Sequence, residues 1–185
     1  MVTHHARDGV KMSENRVDPT VAGLFLTALI TLVFGFLGVE LYNDPKAGWI
    51  GAAAAPLAAA VGVLVAVLMV SAIRCGNKFA AALFGFVSAS LLAVVISFDV
   101  GSFVFFIIAI IYIVFVIVAF MTGAPKLLAI MLLFVGLLYL FVGLSFFGSS
   151  PAEIHNLLFG IFGLLAGAIA LYLALALSTE KFPVF

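Results

Sequence analysis

Charge is the scarcest resource in this sequence. Charged residues make up 9% of its 185 positions, eight basic and eight acidic, while 66% are hydrophobic. A water-soluble domain of this length cannot bury so much apolar surface, so its solvent must be lipid. The little polar sequence left over allows one membrane domain and no second, soluble one. Zero net charge argues against a nucleic-acid partner. The single cysteine, Cys75, excludes an intrachain disulfide and any multi-cysteine metal site. The first 20 residues lack an apolar core segment, so no cleaved signal peptide is expected. No Lys, Arg, Asp, Glu or His falls in the middle of an apolar run, and the histidines are His4, His5 and His155. Membrane metal, haem and quinone sites need intramembrane ligands of these types, so no metal or cofactor is expected and an enzyme is disfavoured. Transporters driven through a buried acid relay are disfavoured for the same reason.

What is present is apolar length. Six runs, Val21–Tyr42, Gly51–Ile73, Phe79–Phe98, Ser102–Thr122, Leu127–Phe147 and His155–Leu177, each reach the ~20 residues a helix needs to span hydrocarbon. Turn signals separate them, such as Asn43-Asp44-Pro45, Gly76-Asn77, Gly123-Ala124-Pro125 and Gly148-Ser149-Ser150. Connections this short make each helix antiparallel to the last. Seven of the eight cations (Arg7, Lys11, Arg16, Arg74, Lys78, Lys126, Lys181) then fall on one side, with Lys46 alone on the other. The excess of positive charge predicts cytoplasmic termini, as an even number of spans requires. The expected fold is all-α and polytopic: a tail over 1–17, a six-helix domain over 18–178, and a second tail over 179–185.

The last run is the most informative. Ser150-Pro151-Ala152-Glu153 reads as a capping box with proline at the first helical position. Gly160, Gly163, Gly167, Ala170 and Ala174 recur at steps of three and four, one helical face of small residues against which another helix can pack closely. Similar small residues mark the first helix (Gly23, Thr27, Thr31, Gly35, Gly38), the third (Ala81, Gly85, Ser88) and the fifth (Gly136, Tyr139, Gly143). Pro56 inside the second run predicts a kink or a freed carbonyl there. The fourth run, Val104–Phe120, is β-branched and aromatic with Tyr112 as its only polar group; it is expected to face lipid or another subunit.

Candidate functional residues follow from what remains polar. Asp18-Pro19 either caps the first helix or places a charge at the cytoplasmic mouth of a path. Glu153 and His155 lie at the outer mouth, as a cap and a solvated side chain or as contacts for solute. Tyr112, Tyr139 and Tyr172 are interhelical hydrogen-bonders or path-lining groups. A path without fixed charge suits a small, neutral or weakly charged solute, lined by hydroxyls such as Thr27, Thr31 and Ser88, rings and backbone dipoles.

Three stretches resemble one family. Asp18-Pro19-Thr20-Val21-Ala22-Gly23-Leu24 is similar to the signature Asn-Pro-Ala-Pro-Leu-Gly-Leu of the acetate uptake transporter family, departing at Asp18, Thr20, Val21 and Ala22. Gly76-Asn77-Lys78-Phe79 resembles its Gly-Asn-Thr-Phe turn, and residues 160–174 resemble its final helix. The resemblance covers about residues 18 to 182. It implies uptake of acetate, and of succinate or related small carboxylates, through a narrow pore in each protomer of a cyclic homo-oligomer, hexameric in relatives. Family members narrow that pore with a first-helix Phe, a third-helix Tyr and a fifth-helix Leu; counted without gaps, these positions are Thr27, Val87 and Phe134. An acetate anion is costly to place in a pore without a countercharge. Passage as the protonated acid, or as anion plus proton, is therefore expected, with a hydrated anion held by hydroxyls and helix N-terminal N–H groups as the other route.

Two further readings stay open. One is a channel for small neutral solutes such as urea, short amides or water. The other is a non-conducting structural membrane subunit, which predicts no continuous polar path through Thr27, Thr31, Ser88 and Tyr139.

Overall fold

The computed structural model describes residues 19–43, 54–96, 103–146 and 152–179. All of these fall into six helices and the turns between them: α1 (Pro19–Asn43), α2 (Ala54–Arg74), α3 (Lys78–Ile96), α4 (Phe103–Met121), α5 (Lys126–Phe146) and α6 (Ala152–Thr179). Each is long and apolar enough to cross a membrane, so the chain is a multi-pass membrane protein. The terminal tails lie outside the described residues. Among those described, every charged side chain sits at a helix end: Glu40 in the last turn of α1, and Arg74, Lys78, Lys126 and Glu153 at the termini of α2, α3, α5 and α6.

Local chemistry closes the two described turns in the same way. After α2, Asn77 N–H donates to the Ala72 carbonyl and Gly76 N–H to that of Ile73. After α4, Ala124 N–H donates to Ala119 and Gly123 N–H to Phe120. Both closures need a left-handed residue, supplied by Gly76 (φ 75°) and Gly123 (φ 70°). Asn77 then caps α3: its side-chain oxygen accepts from the Ala80 N–H at 3.0 Å. Asn77→Ala is expected to lower stability by about 1 kcal/mol, the usual value of such a cap. A thermal melt in detergent checks this; an unshifted melt would mean water satisfies the helix end equally well.

Pro56 does not interrupt α2. α2 is described from Ala54, which puts the proline in its first described turn, and a proline is tolerated in a first turn because no intrahelical carbonyl awaits its missing N–H. The same logic places Pro19 at the opening of α1.

The helices pack as a ring in chain order, closed by α1 against α6. That closing contact is the tightest in the molecule, because glycines meet backbone to backbone. A Cβ at Gly38 would lie 2.5 Å from the Gly160 nitrogen, and one at Gly163 would lie 2.8 Å from the Gly35 Cα. The small-residue stripe of α6 thus packs on Gly35 and Gly38 of α1, with Ala170 and Ala174 fully buried farther along it. Gly136 and Gly143 of α5 admit α4 in the same manner, and Met69 of α2 covers Gly85 of α3. The α3–α4 seam is the loosest in the ring. Aromatic rings bridge it, with Phe86 against Tyr112 (centroids 5.1 Å apart) and against Phe115 (5.6 Å). The exposed faces are apolar: Ile107, Ile110, Val114 and Ile117 on α4, and Val63, Leu64, Val67 and Val70 on α2. These are surfaces for lipid or for another subunit.

Candidate functional site, a row of cavities along the first helix

α1 carries Leu24, Thr27, Thr31 and Phe34 on one stripe at steps of three and four, and all four are buried. Four cavities follow that stripe. The first is a vestibule of about 250 Å³ where α1 and α3 begin, α4 turns into α5 and α6 ends; Thr20, Asn77, Pro125 and Leu177 are among its walls. That vestibule fixes which helix ends share a side: Arg74, Lys78 and Lys126 sit at the vestibule end.

Leu24, Leu83 and Phe84 border both the vestibule and the next cavity, which holds about 20 Å³. Thr27, Val87, Tyr112 and Val135 form the shared wall between that cavity and a central one, also about 20 Å³. Phe34, Leu138 and Tyr139 separate the central cavity from an outermost space of about 10 Å³, which Val94, Phe105, Val142 and Phe159 complete. Each of the three inner cavities has room for about one water molecule. From Leu24 to Phe34 the row climbs roughly 15 Å at 1.5 Å per residue, half the hydrocarbon thickness. α1, α3, α4 and α5 supply the walls of the two central cavities, and α2 contributes none.

The walls are apolar apart from four hydroxyls, those of Thr27, Thr31, Tyr112 and Tyr139. Both threonines donate to their own helix. Thr27 Oγ1 donates to the Gly23 carbonyl at 2.8 Å, and Thr31 Oγ1 to the Thr27 carbonyl at 2.7 Å. They therefore offer lone pairs to the cavities and keep their protons for the backbone. The two tyrosine rings stack, with centroids 5.6 Å apart and planes within 10°. Among the described residues no three His, Cys, Asp or Glu side chains come together.

The candidates named from sequence are distributed unevenly over this geometry. Thr27, Thr31, Val87 and Tyr139 line the cavities. Phe134 does not: α5 turns Met131, Val135, Leu138 and Tyr139 inward, and Phe134, about 100° away from Val135 on the helix, packs on Phe162 of α6 (centroids 5.8 Å). The gap-free count from the family pattern falls one residue short of the inward stripe. Ser88 is buried outside these walls, and Tyr172 is half-buried on α6, also outside them. At the far end Glu153 is exposed, while His155 is half-buried with its ring 6.2 Å from that of Phe141. Asp18 lies outside the described residues. Most of the apolar lining was not singled out as path-forming, Phe34, Phe84, Val135 and Leu138 among it. Asn156, 7% exposed one turn before Phe159 with an unpartnered Oδ1, was missed as well. A lone polar residue three positions before a ring on the small-residue face was the available signal.

Fold and cavities together define a class: a six-helix membrane protein with a charge-free row of cavities through the centre of its helix ring. No known family profile and no curated protein sequence matches the chain. Among solved structures its fold is similar to that of the bacterial acetate channel SatP, with a TM-score of 0.70 over 91% of this chain and 99% of that one, at 16% identity.

Proposed function

We propose that this protein is a transporter or channel of the acetate uptake transporter family, carrying acetate and closely related small carboxylates across the cell membrane. The observation that carries this reading is the charge-free row of cavities inside a fold shared, over 91% of the chain, with an acetate channel. Fold alone does not assign chemistry; the lining supports the solute class. Among carboxylic acids, two-carbon ones require little widening of water-sized spaces, and their methyl groups suit apolar walls. Both threonines spend their protons on the backbone, so they are poor donors to a carboxylate and good acceptors from a carboxylic acid O–H. The solute accordingly crosses the narrow stretch as the neutral acid, or as anion with a proton, and no enzyme chemistry is involved. The cations Arg74, Lys78 and Lys126 at the vestibule end support a cytoplasmic vestibule and cytoplasmic termini. The apolar outer faces of α2 and α4 serve lipid and the neighbouring protomers of a homo-oligomer, hexameric by family resemblance. Within such a path Asp18, Glu153 and His155 mark the mouths.

The test is uptake of labelled acetate into proteoliposomes, with and without an inward proton gradient, competed by succinate and by urea. Gradient-stimulated uptake blocked by succinate is the expected result. Uptake indifferent to pH would remove the proton-linked form of the proposal, and an absence of acetate uptake by folded protein would remove the solute. The apolar lining favours one other reading, a channel for small neutral molecules, for which urea would compete and succinate would not.

A further inference from the structure

The family resemblance draws its constriction from the first, third and fifth helices, and here two of those positions hold the small side chains Thr27 and Val87. The wall at that level is completed from a different helix. Tyr112 of α4 borders both central cavities, while Tyr139 borders the central and the outermost one. The stacked pair therefore stands across the row, Tyr112 on the vestibule side and Tyr139 on the far side. Three features hold Tyr112 there. Gly136 of α5 has no side chain, and a Cβ on it would lie 3.2 Å from the Tyr112 Cβ and 3.4 Å from the Ala109 carbonyl; α4 thus comes close enough to lay the ring over the path. Phe86 supports the ring edge-on from α3. Tyr139 of α5 stacks on its face, with the two planes within 10°. The ring is 2% exposed although α4 is otherwise among the most outward-facing helices.

From this we infer that Tyr112 is the specificity-determining residue of the path: its ring, stacked on Tyr139, sets the cross-section that admits two-carbon acids and excludes longer monocarboxylic acids. The inference rests on the functional reading above. A ring fixed by a glycine contact and two aromatic neighbours cannot swing aside as a long aliphatic side chain could, so its removal opens space that the flanking Thr27 and Val87 do not refill.

The experiment compares wild type, Tyr112→Phe, Tyr112→Ala and the exchange variant Tyr112→Val with Val87→Tyr, each as full-length protein in proteoliposomes. Labelled acetate and labelled butyrate uptake are measured, with glycerol and urea swelling on the same vesicles and melts in detergent to establish folding. Tyr112→Ala is expected to raise the butyrate-to-acetate ratio about tenfold, the discrimination that one or two methylenes support in a shaped apolar site. Tyr112→Phe keeps the ratio of the wild type. The exchange variant, which conserves aromatic volume and remains informative should Tyr112→Ala not fold, restores exclusion of butyrate. A ring that merely stabilised the bundle would lower both fluxes together. Folded Tyr112→Ala with the wild-type ratio overturns the inference and leaves the acetate reading standing. A wild type that passes no acetate overturns that reading instead. In that case a rise in glycerol over urea swelling in Tyr112→Ala still supports Tyr112 as the size filter, and unchanged swelling rejects it.

Discussion

Gly163→Leu is expected to leave little or no folded protein after extraction into detergent. A Cβ at Gly163 would lie 2.8 Å from the Gly35 Cα and nitrogen and 3.0 Å from the Thr31 carbonyl oxygen. All of these are backbone atoms of α1, so no rotamer change relieves the clash. Overpacking a core usually costs about 1–3 kcal/mol when side chains can shift. Here a leucine can be housed only by moving one helix off the other. The neighbouring contacts would go with it, because a Cβ at Gly160 is already 2.8 Å from the Val39 nitrogen. In lipid, helix association depends on such close packing rather than on removing apolar surface from water. Because α1 and α6 are the first and last helices of the ring, separating them opens the ring. Size-exclusion recovery and a melt of the detergent-purified variant read the effect. A melt within a few degrees of wild type would show that the two helices do not meet through their glycines.

The same lipid physics explains what could and could not be read from sequence. Six helices were legible because length and hydropathy alone mark them, and the α6 stripe of Gly160, Gly163 and Gly167 was legible because small residues at steps of three and four have few other uses. The inward faces were harder. In water, a core face is apolar and its opposite polar, so periodicity reveals it. Here Ile107 and Ile110 face outward while Ile108 is buried, and nothing in side-chain chemistry separates them. Phe134 against Val135 is the sharpest case: both are apolar, they are adjacent, and only the rotation of α5 decides which borders the cavities. Tyr112 was visible as the one polar group of its helix. Its place beside the path depends on Gly136, a contact between helices that no local pattern encodes.

Val87→Trp is expected to lower acetate uptake at least tenfold while the protein stays folded, a change that needs only ~1.4 kcal/mol added to the barrier. Val87 is buried at the wall shared by two cavities of about 20 Å³ each, opposite Tyr112 and beside Thr27 and Val135. An indole in place of an isopropyl group has nowhere to go except into those spaces, each of which holds about one water. The stability lost to overpacking, about 1–3 kcal/mol, should appear as a lowered melt rather than as unfolding. Val63→Trp supplies the control, because that side chain is 56% exposed on the outer face of α2 and the same indole there touches no cavity. Phe134→Ala supplies a second, since its ring packs against α6 and its loss should leave the solute preference unchanged. The three variants separate two descriptions of this fold. If Val87→Trp alone stops uptake, solute moves along the Leu24, Thr27, Thr31 and Phe34 stripe. If all three transport alike, that row is a packing defect and the conducting route lies elsewhere.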